Sequence, residues 1–277
     1  MSIKQIIKRG LKYIFTGTPV KDIRAEITYS EPDSKLKGKK IVITGGGRGL
    51  GAAMAEKFVA EKAEVLITGR NEESLKKTAE KLNCKYLVLD ITKPEKFSQF
   101  IKQADEMLGG VNCLVNNAGI SLHEKTFFDV TPETFDAQIN TNFKGAFFLT
   151  QEFITLVKNK NEKANILFTS SETGDTMDFR PYGFTKAAIN SMIQGLAYLF
   201  AKDNIRINAV APGITASDMT GYKTDGNLYL EINATERVYL PEEVAETACF
   251  LLSDASGCIS GQIIVCNNAR TVNVRWK

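Results

Sequence analysis

The sequence predicts an α/β fold: a doubly wound, seven-stranded, mostly parallel sheet with helices on both faces. Three observations predict it. Short runs rich in β-branched residues recur from Lys39 onward, longer stretches of helical periodicity separate them, and a glycine cluster sits between the first run and the first helical stretch. Near-continuous apolar strands joined by crossover helices indicate a parallel sheet covered on both faces.

The elements follow in order. "KIVIT" (Lys40–Thr44) leads into an amphipathic stretch, Leu50–Lys62, and "EVLITG" (Glu64–Gly69) into Ser74–Leu82. "KYLVLD" (Lys85–Asp90) precedes Pro94–Leu108, and "VNCLVNN" (Val111–Asn117) precedes Pro132–Lys158. "ANILFTS" (Ala164–Ser170) and "IRINAVAP" (Ile205–Pro212) are followed by Pro181–Lys202 and Pro241–Ser253, and "QIIVCN" (Gln262–Asn267) is the seventh strand. No internal repeat, low-complexity tract or second domain interrupts the alternation.

Residues 1–35 stand apart. In "MSIKQIIKRGLKYIF" the apolar Ile3, Ile6, Ile7, Leu11, Ile14 and Phe15 share one helical face, with Lys4, Lys8, Arg9 and Lys12 elsewhere. Packing of this basic amphipathic helix on the body or on another subunit is the favoured reading; contact with an anionic membrane surface is the alternative. "TPVKDIRAEITYSEPDSK" then reads as an irregular connector with a turn at Glu31-Pro32-Asp33-Ser34.

A chain of 277 residues, 43% hydrophobic, can bury a large core. The formal charge of +3 is spread along it, which gives no case for nucleic acid. The five cysteines (Cys84, Cys113, Cys249, Cys258 and Cys266) are odd in number and lack CxxC spacing, so they read as reduced thiols. No apolar run approaches the ~18 residues of a membrane span, and no signal-peptide pattern is present. These features predict a cytoplasmic protein. No His, Cys or carboxylate cluster has metal-ligand spacing, so no metal is expected.

The glycine cluster, Gly45, Gly46, Gly47, Gly49 and Gly51, implies that something approaches the backbone closely. It joins the first strand to the first helix, where a doubly wound sheet holds a dinucleotide pyrophosphate. With Thr44 before it, the spacing is TGxxxGxG. Further along come "NNAG" (Asn116–Gly119), a serine pair at Ser170 and Ser171, "YGFTK" (Tyr182–Lys186) and "NAVAPG" (Asn208–Gly213). With these motifs in this order, the chain resembles the short-chain dehydrogenase/reductase family, in its compact subtype, from about Leu36 to Asn267.

The resemblance implies a single Rossmann-fold catalytic domain over residues 36–277, a hydride transfer between nicotinamide and a carbonyl or secondary alcohol, and a homodimer or homotetramer. It implies Tyr182 as general acid/base, with Lys186 lowering its pKa and holding the cofactor ribose. A cation about 4 Å away at an effective dielectric near 20 contributes ~4 kcal/mol, enough to move a phenol toward neutrality. Ser171 matches the family serine that hydrogen-bonds the substrate oxygen, with Ser170 the competing choice; the eleven-residue step from Ser171 to Tyr182 is shorter than the family's usual one. Asn142, with Asn140 nearby, matches the asparagine that kinks its helix and holds a water near the lysine. By resemblance Asn116 ties the central strands and touches the cofactor region, Asn117, Ala118 and Gly119 line the nucleotide, Asp90 accepts from the adenine amino group, and Ile91 lies beside it.

The cofactor follows from charge. An acidic residue ending the second strand would hold the ribose diol of NAD, but Gly69 stands there, followed by Arg70, and Arg48 lies in the glycine loop. Two guanidiniums suit a 2′-phosphate, which favours NADP(H) over NAD(H). Glu72 and Glu73 dissent, but fall on the next helical turn and serve its dipole. Pro212, Gly213, Ile214, Thr215 and Ser217 match the segment that meets the nicotinamide carboxamide, and "TGYKTDGNLYLEINATERVY" reads as a substrate lid whose Tyr222 and Tyr229 either line the pocket or pack the lid down. His123 is read as solvated, with a place at the pocket border as the alternative. Asn267 and Asn268 stand where the family usually has Gly-Gly. The rival reading is a non-catalytic nucleotide-binding sensor or scaffold of the same fold; intact Ser171, Tyr182 and Lys186 speak against it.

Overall fold

The computed structural model describes residues 34–271. The amphipathic helix expected near the N-terminus, and all but the last two residues of the connector, lie outside the described residues.

All seven expected strands form: β1 (Lys40–Thr44), β2 (Glu64–Gly69), β3 (Lys85–Val88), β4 (Cys113–Asn116), β5 (Ala164–Thr169), β6 (Ile205–Pro212) and β7 (Ile263–Cys266). Their order across the sheet is β3-β2-β1-β4-β5-β6-β7. Every pairing is parallel, so the sheet is more uniform than the mostly parallel one expected. Strand order reverses direction between β1 and β4, which leaves a crevice at their C-terminal ends.

The helices are α1 (Gly49–Ala60), α2 (Glu72–Leu82), α3 (Phe97–Leu108), α4 (Pro132–Gln138), α5 (Gly145–Asn159), α6 (Pro181–Phe200) and α7 (Pro241–Leu252). Proline sits in the first turn of α4, α6 and α7, where its missing N–H costs nothing. Asn71 caps α2 by accepting from the Ser74 N–H at 2.8 Å, and Glu72 and Glu73 occupy its first turn, where the helix dipole favours them.

Strand side chains alternate between two cores. Val42, Leu66, Leu114, Ile166 and Ile207 pack with α3, α5 and α6 on one face. Ile41, Ile43, Ile67, Val115 and Leu167 pack with α1, α2 and α7 on the other. Two-sided burial is why the strands read as unbroken apolar runs rather than alternating ones.

Two expected helices are interrupted. Residues 94–96 form a 3-10 turn before α3. The stretch expected as one helix over Pro132–Lys158 is broken by a π-helical segment, Ile139–Lys144, between α4 and α5. The cause is Asn142, which leaves the helical ladder's side to accept from the Ile120 N–H at 2.8 Å and donate to the Ile120 carbonyl at 2.9 Å. Among the described residues, no helix is long and apolar enough to cross a membrane.

Candidate active site

A cleft of about 810 Å³ opens at the C-terminal ends of the strands. Its floor is the glycine loop, with Thr44, Gly45, Gly47, Arg48, Gly49, Leu50 and Gly51 all on the wall. Gly49 has φ +54, and a Cβ there would meet only Ser217 Cβ, 3.9 Å away, so the backbone is bare toward the cleft. No side chain caps the first turn of α1, which leaves its amides free for an anion. This donor set fits a dinucleotide pyrophosphate.

The same wall carries Arg70 and Ile91, then Asn117, Ala118 and Gly119, and on the far side Pro212, Gly213, Thr215 and Ser217. Asp90 turns aside: its Oδ1 accepts from the Thr92 N–H at 2.9 Å and hydroxyl at 2.8 Å. Burial works against its charge, but those bonds and the field of Arg70 hold it below its ordinary value. Arg48, largely exposed, pairs with Asp218 at 2.7 Å.

Strand ends are locked together around Thr44. Its hydroxyl accepts from the amides of Asn117 at 2.9 Å and Ala118 at 3.0 Å. The Asn117 side chain donates to the Thr44 carbonyl at 3.0 Å and the Gly45 carbonyl at 3.2 Å, and accepts from Thr169 at 3.1 Å. The strand-tying amide is therefore Asn117, not Asn116 as expected. Neighbouring side chains on an extended chain point to opposite faces, and Asn116 reaches α5 instead, donating to Thr150 at 2.9 Å.

Tyr182 and Lys186, one turn apart on α6, share the wall with Ser171 after β5. The Ser171 hydroxyl lies near enough to the Tyr182 phenol to favour its ionised form. Ser171 Oγ already accepts from the Thr173 N–H at 3.2 Å and hydroxyl at 3.0 Å, so its own proton is free to be donated. Ser170 also borders the cleft but is buried and donates its proton to Asn190 at 2.5 Å, which leaves Ser171 as the serine with a proton to donate. Lys186 Nζ stands 5.4 Å from the centre of the Tyr182 ring.

The electrostatics differ from those expected. Burial pushes the Tyr182 phenol above its ordinary value, against the opposing influence of the Ser171 hydroxyl and the charge of Arg180. Burial also lowers the Lys186 ammonium to about 8. Desolvation is the largest influence on both groups, since burial disfavours the charged form of each. Asn142 lies behind the cleft wall, where it donates to Thr185 at 3.2 Å as well as bracing Ile120. Asn140 is half-buried within the same π segment.

The chain as a whole is similar to known proteins. The sequence profile of the family described as Enoyl-(Acyl carrier protein) reductase matches residues 45–268. The chain belongs to the short-chain dehydrogenase/reductase family. A 3-oxoacyl-(acyl-carrier-protein) reductase of this family from Aquifex aeolicus is 32% identical over 243 residues, spanning 84% of this chain and 97% of the relative. A 3alpha-hydroxysteroid dehydrogenase from Mediterraneibacter gnavus is 33% identical over 247 residues, spanning 84% and 97%. The structure of a 3-ketoacyl-(acyl-carrier-protein) reductase from Brucella melitensis complexed with NADH superposes with TM-score 0.79 at 26% identity, covering 85% of this chain and 99% of that one. The protein is thus an oxidoreductase-family member with the Rossmann fold common to its dehydrogenase and reductase relatives.

Beyond the family motifs, the structure places residues that sequence reasoning did not. Met219 and Thr220 line the cleft, whereas Tyr222 and Tyr229 do not and Tyr229 is exposed. Exposed His123 bonds the Met219 carbonyl at 2.8 Å and stands outside the wall. Buried Glu172 lies against Asn267 and Arg270, 95 and 98 residues away in sequence, and no local pattern signals that pairing. All five cysteines are free thiols.

Proposed function

We propose that the protein is an NADP(H)-dependent carbonyl reductase or secondary-alcohol dehydrogenase. The observation that carries this reading is the convergence of Ser171, Tyr182 and Lys186 on one wall of the nucleotide cleft, with Lys186 Nζ 5.4 Å from the centre of the Tyr182 ring. The bound nicotinamide supplies or accepts the hydride. Ser171 donates to the substrate oxygen, Tyr182 exchanges that oxygen's proton, and Lys186 holds the ribose and favours the phenolate. Asn142, behind Gly119, holds the proton path open toward solvent. The glycine loop holds the pyrophosphate, Arg70 and Arg48 hold the 2′-phosphate, and Asp90 borders the adenine from the cleft edge.

The substrate is a small carbonyl compound or the corresponding alcohol. Relatives that act on 3-oxoacyl groups and on hydroxysteroids make those classes the first to assay. A cytoplasmic homodimer or homotetramer fits the exposed Phe147 and Phe148 on α5 and Tyr198 and Leu199 on α6. The test is a panel of acyl thioesters, steroid ketones, simple ketones and sugars with NADPH or NADH, followed by absorbance. The expected result is carbonyl-dependent oxidation of NADPH that the Tyr182→Phe variant loses. Full turnover by that variant, or no turnover with any carbonyl, overturns the reading.

A further inference from the structure

Outside the residues assigned above, one buried charge lies closest to the chemistry. Glu172 follows Ser171 directly, opens the 3-10 turn Glu172–Asp175, and has a side chain only 5% exposed. A buried carboxylate is costly unless it is paired and hydrogen-bonded. Both needs are met by the segment after β7. Arg270 forms an ion pair with Glu172 Oε1, and Asn267 Nδ2 donates to Oε2 at 2.9 Å. Asn267 is held in turn: its carbonyl accepts from the Tyr239 hydroxyl at 2.8 Å and from the Arg270 N–H at 3.1 Å. Its amide also reaches Thr271 at 2.8 Å.

The carboxylate touches two parts of the site at once. Glu172 Oε2 lies 3.2 Å from where a Gly213 Cβ would stand, and Asn267 Cβ lies 2.9 Å from the same point. The turn that holds Ser171 and Gly213, the residue after β6, therefore pack closely around one side chain, whose anchors come from the C-terminal segment. Asn267 in place of the family's usual glycine supplies the amide that makes this possible.

We propose that Glu172 is a positioning residue for the reaction, and that Asn267 and Arg270 form a C-terminal clasp that both holds Glu172 and neutralises it beside Tyr182. The proposal rests on Tyr182 being the acid–base of the proposed reaction. The charged and titratable groups around Tyr182 are Lys186 on its own helix, Arg180 and Asp178 just before it, and Glu172 in the turn after β5, next to Ser171. Glu172 opposes ionisation of the phenol, and Arg270 screens that effect. Removing one partner or the other should therefore move Tyr182 in opposite directions.

The experiment measures tyrosinate absorbance against pH for the full-length protein and for Glu172→Gln, Arg270→Met and Arg270→Lys, each subtracted from its Tyr182→Phe counterpart. NADPH binding and the pH profile of kcat/KM are followed alongside. Glu172→Gln is expected to move the Tyr182 titration to lower pH and Arg270→Met to higher pH, with Arg270→Lys returning it toward wild type. Arg270→Met should lower kcat about tenfold to a hundredfold through the misplaced Ser171 turn, with NADPH affinity held within a few-fold. Titrations that superimpose on wild type, or that move the same way in both variants, overturn the proposal, as does a loss confined to thermal stability. Glu172→Gln keeps the test decisive if Arg270→Met does not fold, since an unmoved Tyr182 titration in that variant alone overturns the proposal. Unmoved titrations in a protein that turns over carbonyls sink the clasp alone; shifted titrations in a protein without turnover support the clasp and sink the reaction.

Discussion

Lys186 donates from Nζ to the Thr169 carbonyl at 2.7 Å, so the ammonium is tethered to the end of β5 in a buried position on the cleft wall. Burial brings its pKa down to about 8. Below that value the folded state holds a buried charge that the unfolded chain solvates freely. The penalty is present in full near neutral pH and disappears as pH rises toward the ordinary lysine value, since only the unfolded chain still binds the proton in between. A site of this kind trades stability for function.

Lys186→Met is accordingly expected to abolish turnover yet stabilise the fold near neutrality. The relieved penalty is roughly 3 kcal/mol at most, offset by about 1–2 kcal/mol for the Thr169 carbonyl left without its donor. Urea unfolding at about pH 7 and about pH 10 reads the sign, with the variant's advantage shrinking at the higher pH. Equal stability differences at both pH values would show that the lysine carries no burial penalty.

For the cofactor, Arg70→Ala is expected to weaken NADPH binding about tenfold to a hundredfold, from ~1.5–3 kcal/mol per charged contact. NADH affinity should barely move. The Arg48–Asp218 pair is exposed on both sides, so it holds Arg48 weakly and Asp218→Asn should tighten NADPH binding only a few-fold. Fluorescence titration of both cofactors decides; wild type binding NADH as tightly as NADPH would leave the arginines as surface charge.

The asparagine pair offers a test of stability alone. Asn117→Ala removes three side-chain bonds linking β1, β4 and β5 and should cost about 2–3 kcal/mol. Asn116→Ala removes one bond and also a buried oxygen that has no partner, so about 1 kcal/mol is expected. Denaturant midpoints of the two variants should fall in that order, and the reverse order would falsify the assignment of the tie to Asn117.

The domain boundary is tested by truncation. Leu36 is fully buried in the core beside α1, and the Lys35 N–H donates to Glu61 at 3.1 Å. Deleting residues 1–30 is expected to leave a folded, cofactor-binding protein. Deleting through Leu36 should lower the melting temperature, because a core side chain goes with it. Unfolding of the shorter deletion would place the extension inside the domain.

What the sequence determined by itself was whatever is written locally. Strands such as Lys40–Thr44 and Glu64–Gly69 are legible because a sheet covered on both faces demands near-continuous apolar runs. The glycine loop is legible because a backbone-binding turn needs residues without side chains, and Tyr182 and Lys186 because four residues span one helical turn. Tertiary structure alone decided what depends on distant partners. The resemblance marks Asn142 as a helix-kinking residue, but its partner is Ile120, 22 residues earlier, which offers both backbone groups and which no local pattern names. Asn117 rather than Asn116 ties the strands because of which face each side chain meets. Glu172 can be buried beside Ser171 only because Arg270 returns from the end of the chain to pair with it. A side chain's charge state and partner depend on what folding brings within a few ångströms, and sequence order carries no record of that distance.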